Sequence, residues 1–221
     1  TGAPQVAYRE TISRAVDYDY THKKQTGGSG QYGKIQGSIS PNDEEDFCFE
    51  SKIVGGSIPK EFISSVEKGF RSMMAKGRLI GFPVVNMKFV LDDGSYHAVD
   101  SSDMAFQSAA MGAFREAYQR AKPVILEPVM KVSVEGPTEF QGAMVKTLMQ
   151  RRGMITGSVD DTGFSRIDAD VPLSEMFAYS NIIRSSTQGK GEFTMEFSHY
   201  ARVPEEVSAD LKIKYAEAMR G

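Results

Sequence analysis

The order of strand-like and helix-like segments in the second half of the chain constrains its fold most. Apolar residues recur with the period of a strand over residues 129–134, 154–159, 165–171 and 192–197, and with the period of a helix over residues 138–150 and 174–184. This order is βαββαβ, the ferredoxin-like arrangement. A final amphipathic helix is predicted from Pro204 to about Met219.

The first half of the chain also mixes strands and helices. Helical periodicity covers residues 59–76 and runs again to about Arg120 from Ser101 or Ser102, either of which is a suitable N-cap. The other predicted features are strands over residues 5–20, 35–40, 47–53 and 84–91, a glycine-rich loop over residues 25–33 and a turn at Asp93-Gly94. The sum is an α+β domain with two helices on one sheet.

The boundary between the two halves is predicted at Ala121-Lys122-Pro123, where the long helix ends and a proline precedes a new strand. The predicted segments are therefore an α+β domain over residues 1–122, a ferredoxin-like domain over residues 123–203 and a C-terminal helix over residues 204–221. A chain of 221 residues with 40% apolar residues is long enough to give each domain a core of its own.

Charge and cysteine content exclude several classes of protein. The net charge is −3, and residues 1–122 hold 15 basic and 15 acidic residues, which argues against a strongly basic nucleic-acid clamp but not against a local cationic contact. Cys48 is the only cysteine, so an internal disulfide is excluded and a reducing compartment is favoured.

No run of the sequence approaches the roughly 18 to 20 apolar residues of a membrane span. Thr1 is not an initiator methionine, so we expect a segment of a longer protein.

The glycine-rich segment from Thr26 to Lys34 is the strongest candidate for a binding site. Four glycines in the seven positions from 27 to 33 leave backbone amides unshielded, and such amides bind anions. Lys23, Lys24 and Lys34 make the surroundings locally cationic. Contact with an RNA backbone and a simple flexible hairpin end both fit this pattern. A phosphate-binding P-loop does not, because no Gly-Lys-Ser/Thr follows at the required spacing.

A second candidate segment surrounds His97. Its imidazole and the neighbouring Tyr96 offer a stacking face and a donor for a phosphate or a base. Asp100, Ser101 and Ser102 suit the start of a helix, and their crowding into one turn argues against a hydrolase triad with His97. No metal site is predicted, since His22, His97 and His199 have no partner at ligand spacing.

Cations in the second half form a weaker candidate. Arg151 and Arg152 precede Gly153 at the end of a predicted helix, where the helix dipole alone favours positive charge. Lys190 lies in a glycine-containing turn between a helix and a strand. Each of the three residues suits either contact with RNA phosphate or a purely structural role.

Taken together, these segments resemble bacterial translation elongation factor G. Domain IV of that family is similar to PQVAYRETI (4–12), QTGGSGQYG (25–33), KIVGGSIPKE (52–61), DGSYH (93–97) and VDSS (99–102). Domain V is similar to LEPVMKV (126–132), RRG (151–153), PLSEMF (172–177), RS (184–185) and TQG (187–189). The similarity is collinear and covers nearly the whole chain, so it is far more specific than any one glycine loop.

The resemblance implies the C-terminal part of a GTP-driven translocase. The GTPase domain, with its P-loop, GTP and Mg²⁺, would lie upstream, so we expect no catalytic centre, metal or cofactor within these residues. Domain IV would reach the tRNA and mRNA in the decoding centre of the small ribosomal subunit. Domain V would bind at the factor-binding site of the large subunit. The protein would act in the cytoplasm, and these two domains would contact the upstream domains of the same chain. The implied contacts of domain IV are Gly27, Gly28, Ser29, Gly30, Gln31, Tyr32, Lys34 and His97; those of domain V are Arg151, Arg152 and Lys190.

Several residues depart from the family pattern. Ser29 stands where the family often has Arg, Ala178 replaces a common Gly, Ile182 replaces a common Asp, and the acidic run over residues 43–46 is individual to this chain. A paralogue specialised for ribosome recycling and a ribosome-protection relative therefore remain open. Two other readings are an independent enzyme built around His97 and Asp100, and a protein-interaction domain without a role in RNA binding.

Overall fold

A computed structural model describes residues 6–26 and 29–221. These residues form nine β-strands, five α-helices and two short 3₁₀ helices, at Thr138–Phe140 and Leu173–Glu175. In chain order, the main elements are β1 (Arg9–Ile12), β2 (Val16–Thr26), β3 (Ser29–Pro41), β4 (Phe47–Ser51), α1 (Lys60–Met73), β5 (Met87–Ser95), α2 (Asp103–Arg120), β6 (Pro123–Pro137), α3 (Gln141–Met149), β7 (Met154–Asp161), β8 (Phe164–Pro172), α4 (Tyr179–Ser186), β9 (Glu192–Arg202) and α5 (Glu205–Arg220).

The described chain divides into two compact units. The first unit comprises residues 9–125 together with residues 203–221, so it includes α5. The second unit comprises residues 126–202 together with residues 6–8. No helix in the part of the chain that the structure describes is long and apolar enough to cross a membrane.

The first unit is built on a four-stranded sheet in the order β2-β3-β5-β4. The β2/β3 and β3/β5 pairs are antiparallel, and β4 runs parallel to β5. Helices α1 and α2 pack against each other closely, since a Cβ on Gly69 of α1 would lie 2.6 Å from the Gln107 carbonyl oxygen of α2. The core contains stacked rings, with the centroids of Phe70 and Phe89 4.5 Å apart. The predicted α+β domain with two helices on one sheet is confirmed.

A buried carboxylate organises one end of this core. Glu10 is fully buried and accepts hydrogen bonds from the backbone N–H groups of Leu79, Ile80 and Phe82 at 3.0, 2.9 and 3.3 Å. The Tyr118 hydroxyl donates to the same carboxylate at 2.8 Å. The pKa of the Tyr118 hydroxyl is raised, chiefly by burial and secondarily by the negative charge of Glu10. Because a buried carboxylate without donors would be strongly destabilising, these four bonds make Glu10 a structural anchor for the 79–82 segment.

Helix α5 contacts the same segment of the first unit. Gly81 has φ +77°, and a Cβ added there would lie 2.8 Å from the Tyr215 ring. The backbone N–H of Val203, which precedes α5, donates to the Ile125 carbonyl at 3.0 Å. Glycine at position 81 thus permits both the left-handed backbone and the close approach of the helix.

The second unit has the predicted βαββαβ order, formed by β6, α3, β7, β8, α4 and β9. The antiparallel pairs β6/β8, β6/β9 and β7/β8 place its strands in the order β9-β6-β8-β7. Apolar side chains of the inner strands pack with those of the two helices in one core, whose buried members include Val132, Val134, Met144, Leu148, Ile167, Val171, Tyr179 and Ile183. The ferredoxin-like prediction is confirmed.

The glycine-rich segment was predicted as a loop over residues 25–33, but its described residues, 25, 26 and 29–33, lie in strands. The β2/β3 ladder continues to the pair Thr26 and Ser29, so residues 29–33 belong to a strand. Glycines give no side-chain alternation, which is why the sequence suggested a loop. The backbone pairs with β2 nonetheless, and Gly33 lies so close to α2 that a Cβ would be 3.3 Å from the Phe106 ring.

Three other predicted element boundaries are wrong, each for its own structural reason. The strand over residues 5–20 is interrupted after Ile12, because the N–H groups of Ser13 and Arg14 donate to the Ala121 carbonyl oxygen. Strand β5 continues through Asp93-Gly94, where the absence of a side chain lets Gly94 lie close to the Lys34 carbonyl. Helix α4 begins at Tyr179 instead of residue 174, because Ala178 has a left-handed backbone with φ +64°.

Candidate nucleic-acid interface

The distal part of the β2/β3 hairpin presents polar and cationic side chains. Lys23 lies opposite Tyr32, and Gln25 lies opposite Gly30. Because successive strand residues point to alternate faces, Lys23, Gln25 and Tyr32 lie on the same face of the hairpin. Lys23, Lys24 and Gln25 are exposed, while Gln31 and Tyr32 are half-buried.

The segment after β5 continues along β3 and is fixed to it by backbone contacts. The Tyr32 N–H donates to the Asp100 carbonyl oxygen at 3.0 Å. The Ser101 hydroxyl donates to the Tyr32 carbonyl oxygen at 2.7 Å and accepts from the His97 N–H at 2.9 Å. Ser102, not Ser101, caps α2, since its Oγ accepts from the Ala105 N–H at 3.1 Å. The structure therefore brings the two candidate segments of the first half together.

Asp100 lies directly over Gly30. A Cβ on Gly30 would lie 2.8 Å from Asp100 Oδ2, closer than real Cβ contacts. The side chain of Asp100 is 28% exposed, and its Oδ2 lies 3.7 Å from His97 Nδ1. A side chain at position 30 would therefore force the Asp100 carboxylate to move.

The hydrogen bonds of His97 define its tautomer. Its Nδ1 accepts from the backbone N–H groups of Val99 and Asp100 at 3.2 and 3.1 Å. An imidazole nitrogen that accepts carries no proton, so the proton of neutral His97 lies on Nε2. The side chain is 56% exposed, and Nε2–H is thus available as a donor to a ligand.

A cavity of about 200 Å³ lies between the hairpin and the His97 segment, and we call it the hairpin cavity. Its lining residues are Lys23, Gln25, Gln31, Tyr32, His97 and Asp100. The Tyr32 ring is held in place, because its hydroxyl pairs with Ser95 Oγ at 2.8 Å. Gln31 is also fixed, since its Oε1 accepts from His22 Nε2 at 2.8 Å.

The other predicted contacts of the first half lie along the same hairpin. Lys34 is half-buried on β3, opposite Thr21 and Ser95. Ser29 is the first residue of β3. Gly27 and Gly28 lie outside the described residues.

The three predicted cations of the second unit all interact within that unit. Arg152 forms a bidentate pair with the buried Glu127 at 2.8 and 3.0 Å, and this hydrogen bonding raises the pKa of the Arg152 guanidinium. Arg151 donates to the Thr147 carbonyl at 2.9 Å, and its guanidinium lies 5.2 Å from the centre of the Tyr179 ring. Lys190 is the most accessible of the three, with Nζ 3.9 Å from Glu139.

The arrangement around His97 does not form a catalytic triad. The Ser101 hydroxyl directs its proton to a backbone carbonyl, and His97 Nδ1 is occupied by two backbone N–H groups. A triad requires the hydroxyl to donate to the imidazole. Within residues 6–26 and 29–221, no group of three or more His, Cys, Asp or Glu side chains is arranged to hold a metal ion.

Gln25 and Asp100 are the lining residues whose place sequence reasoning missed. The sequence contains part of the information needed for Gln25, because a hairpin whose last paired residues are 26 and 29 places Gln25 opposite Gly30. The position of Asp100 depends on contacts between residues 69 apart, such as that of Ser101 with Tyr32, which no local pattern encodes.

Comparison with known proteins now identifies the class. Residues 4–122 match a family model described as elongation factor G, domain IV, and residues 124–211 match one described as elongation factor G C-terminus. An α+β unit and a ferredoxin-like unit with these matches define part of a translation elongation factor. The chain belongs to the elongation factor G family.

Individual relatives agree with this assignment. The chain is 61% identical, over 99% of its length, to elongation factor G 2 of Anaeromyxobacter dehalogenans, and 58% identical, over 97% of its length, to elongation factor G 1 of Borreliella burgdorferi. It spans 31% of each of these relatives. A crystal structure of a Thermus thermophilus protein matches 98% of the chain and 32% of its own length, with a TM-score of 0.84 and 40% identity.

Proposed function

We propose that this chain is the ribosome-binding part of a factor that uses GTP to move tRNA and mRNA through the ribosome during protein synthesis, in the cytoplasm. The main support for this proposal is that the β2/β3 hairpin and the His97 segment line one cavity. Lys23, Lys24 and Lys34 lie on the two strands of the same hairpin. The names of the relatives support the role in elongation. The locally cationic hairpin supports contact with RNA despite the net charge of −3.

The proposed mechanism is steric and electrostatic. The GTPase domain, with its bound GTP and Mg²⁺, belongs to the remainder of the longer factor, and the residues of this chain break no bond. Their part is to occupy the decoding centre of the small subunit and to contact the tRNA and mRNA there. The paired strands of the hairpin and its bonds to the His97 segment supply the rigidity that such an insertion requires.

We assign residues 1–122 to the domain that reaches the decoding centre, residues 123–203 to a domain that binds near the factor-binding site of the large subunit, and residues 204–221 to a C-terminal helix. Lys190 is the favoured ribosome contact of the second domain, because it is exposed. Arg152 primarily neutralises the buried Glu127, and Arg151 packs on Tyr179. The upstream domains of the same factor are further partners.

The decisive experiment reverses the three lysines of the hairpin in the full-length factor. The variant Lys23→Glu, Lys24→Glu and Lys34→Glu should slow translocation and weaken binding to the ribosome. Each lost phosphate contact should also reduce the slope of log K against log salt by about one unit. A matched control replaces Lys76, Arg78 and Lys212, which are exposed elsewhere in the first unit, by Glu.

Rates of translocation and of ribosome recycling are measured on the same variants. A loss confined to translocation supports the proposed function, and a loss confined to recycling supports the specialised paralogue. Unchanged rates in both assays would show that the hairpin is not the RNA contact. An equal effect of the control variant would show that only net charge matters.

A further inference from the structure

We propose that the hairpin cavity receives the base of one unpaired RNA nucleotide and prefers guanine. This inference rests on the RNA-binding function proposed above, and it specifies which chemical group the cavity recognises. The size of the cavity, about 200 Å³, is below the roughly 300–1,000 Å³ of pockets for drug-sized ligands. It therefore suits a single planar ring system.

Asp100 determines which part of an RNA can enter. A carboxylate only accepts hydrogen bonds, and it repels phosphate. Among the described side chains and backbone groups, no hydrogen bond to a carboxylate oxygen of Asp100 is formed, and the imidazole nitrogen 3.7 Å from Oδ2, His97 Nδ1, itself accepts two backbone N–H groups. The group that enters beside Asp100 must therefore carry N–H or O–H donors, which excludes the RNA phosphate.

His97 adds a donor next to these acceptors. Because Nδ1 is occupied by the N–H groups of Val99 and Asp100, neutral His97 offers only Nε2–H to a ligand. The cavity thus presents two acceptor oxygens and one imidazole donor on residues three apart in the chain. A ligand that satisfies all of them needs two donors and one acceptor along one edge.

Guanine fits this requirement better than the other bases. Its Watson–Crick edge carries the N2 amino group and N1–H beside the O6 acceptor, whereas uracil offers one N–H between two carbonyls. Adenine and cytosine each offer one amino group beside a ring nitrogen acceptor. Only an unpaired base exposes this edge, so the expected ligand is a single-stranded nucleotide.

Tyr32 and Lys23 complete the site. The Tyr32 ring lines the cavity and is fixed by the bond of its hydroxyl to Ser95, so it is a prepared surface for stacking. Lys23 lines the cavity and is exposed to solvent, where its ammonium can contact the phosphate of the bound nucleotide. The mixture of one carboxylate with a cation, a ring and an imidazole thus suits a whole nucleotide.

The test measures the affinity of the full 221-residue chain for labelled RNA nonamers of sequence U₄XU₄ by fluorescence anisotropy. X is guanine, adenine, cytosine, uracil or an abasic site. Guanine should bind about tenfold or more tightly than uracil, with adenine and cytosine between them and the abasic probe weakest. Asp100→Asn should abolish the preference for guanine, whereas any gain in affinity from the loss of the negative charge should be the same for all five probes.

Asp93→Asn is the matched control, because Asp93 is exposed on β5 and does not line the cavity. It should retain the preference of the wild-type chain. Tyr32→Leu should weaken the binding of the guanine probe by about tenfold or more, because the stacking ring is lost.

Equal affinity for all five probes would overturn the base-pocket proposal while leaving RNA binding by the hairpin intact. A preference for guanine that survives Asp100→Asn would likewise overturn it. Failure of every probe to bind would contradict the RNA-binding function itself, so the two failures are distinguishable.

Discussion

Tyr118 and Glu10 join the long helix α2 to the first strand through a buried hydrogen bond of 2.8 Å, across 108 positions of the sequence. The acceptor is a fully buried carboxylate that also receives three backbone N–H groups. Hydrogen bonds to charged groups contribute about 1.5–3 kcal/mol, roughly twice the contribution of neutral ones. This pair is therefore expected to contribute more to stability than other tyrosine contacts of the same core.

Tyr118→Phe tests that expectation. It should lower the free energy of unfolding by about 1.5–3 kcal/mol, because the charge-assisted bond is lost while the ring remains. Tyr18→Phe is the control: the Tyr18 hydroxyl is also buried but donates to the neutral Val90 carbonyl, and its loss should cost about 0.5–1.5 kcal/mol. Denaturant unfolding of both variants gives the comparison, and an equal or larger cost for Tyr18→Phe would contradict it.

Gly30→Ala should impair the hairpin without unfolding the chain. The added Cβ would meet the end of the Asp100 side chain at 2.8 Å, and that side chain can move. We expect about a fivefold or larger loss of RNA affinity, since the displaced carboxylate also alters the environment of His97. Gly142→Ala in α3 is the control, because nothing lies within 4 Å of its Cβ position. Loss of affinity in the control, or none in Gly30→Ala, would refute this account.

Ala178→Gly should stabilise the second unit. Ala178 has φ +64° before α4, a conformation that is unfavourable for residues with a Cβ. Relief of this strain outweighs the extra flexibility of glycine in the unfolded chain, and we expect a gain of about 0.5–1 kcal/mol. The same exchange at Ala216, an exposed position within α5, should instead cost about 0.5–1 kcal/mol. Thermal unfolding that shows the same sign for both variants would be incompatible with this explanation.

Asp168 should make stability depend on pH in the acid range. The Ser133 hydroxyl donates to Oδ1 at 2.5 Å, and Arg166 donates to both carboxylate oxygens, so that the pKa of Asp168 is lowered. A lowered pKa in the folded state stabilises the fold above the unfolded-state pKa of about 3.9, and this contribution is lost as pH falls through the lower folded value. The stability difference between the wild-type chain and Asp168→Asn should therefore be largest near pH 6 and shrink below about pH 4.

Urea unfolding of both proteins at several pH values between about 3 and 6 measures this difference. Asp210→Asn, at an exposed position of α5, is the control for the loss of a single carboxylate. A gap between the wild-type chain and Asp168→Asn that stays constant down to about pH 3 would exclude the proposed role of Asp168.

The elements that follow side-chain periodicity could be predicted from the sequence. Apolar residues at regular spacing predict the strands and helices of the second unit and the two helices, α1 and α2, of the first unit. The type and order of these elements are confirmed. Boundaries set by backbone contacts with distant residues were missed. Strand β1 ends where Ser13 and Arg14 meet Ala121, and β5 continues past Gly94 because glycine fits beside Lys34.

The residues of the candidate site also fall into those that the sequence predicts and those that only the tertiary structure identifies. Tyr32 and His97 were singled out because their side chains have distinctive chemistry. The place of Asp100 over Gly30 and the pairing of Arg152 with Glu127 depend on contacts between residues far apart in the sequence. Whether an arginine is exposed or neutralises a buried acid is decided by the tertiary fold, and no local pattern distinguishes the two.

The discontinuity of the first unit has a consequence for biosynthesis. Helix α5 packs through Tyr215 on Gly81, but its residues leave the ribosomal exit tunnel only after the entire second unit has been translated. A nascent chain must therefore hold the first unit without its last helix while a second core forms in between. Termination after residue 202 would leave Gly81 without its contact to the Tyr215 ring, so the first unit acquires this part of its packing only after the second unit has been synthesised.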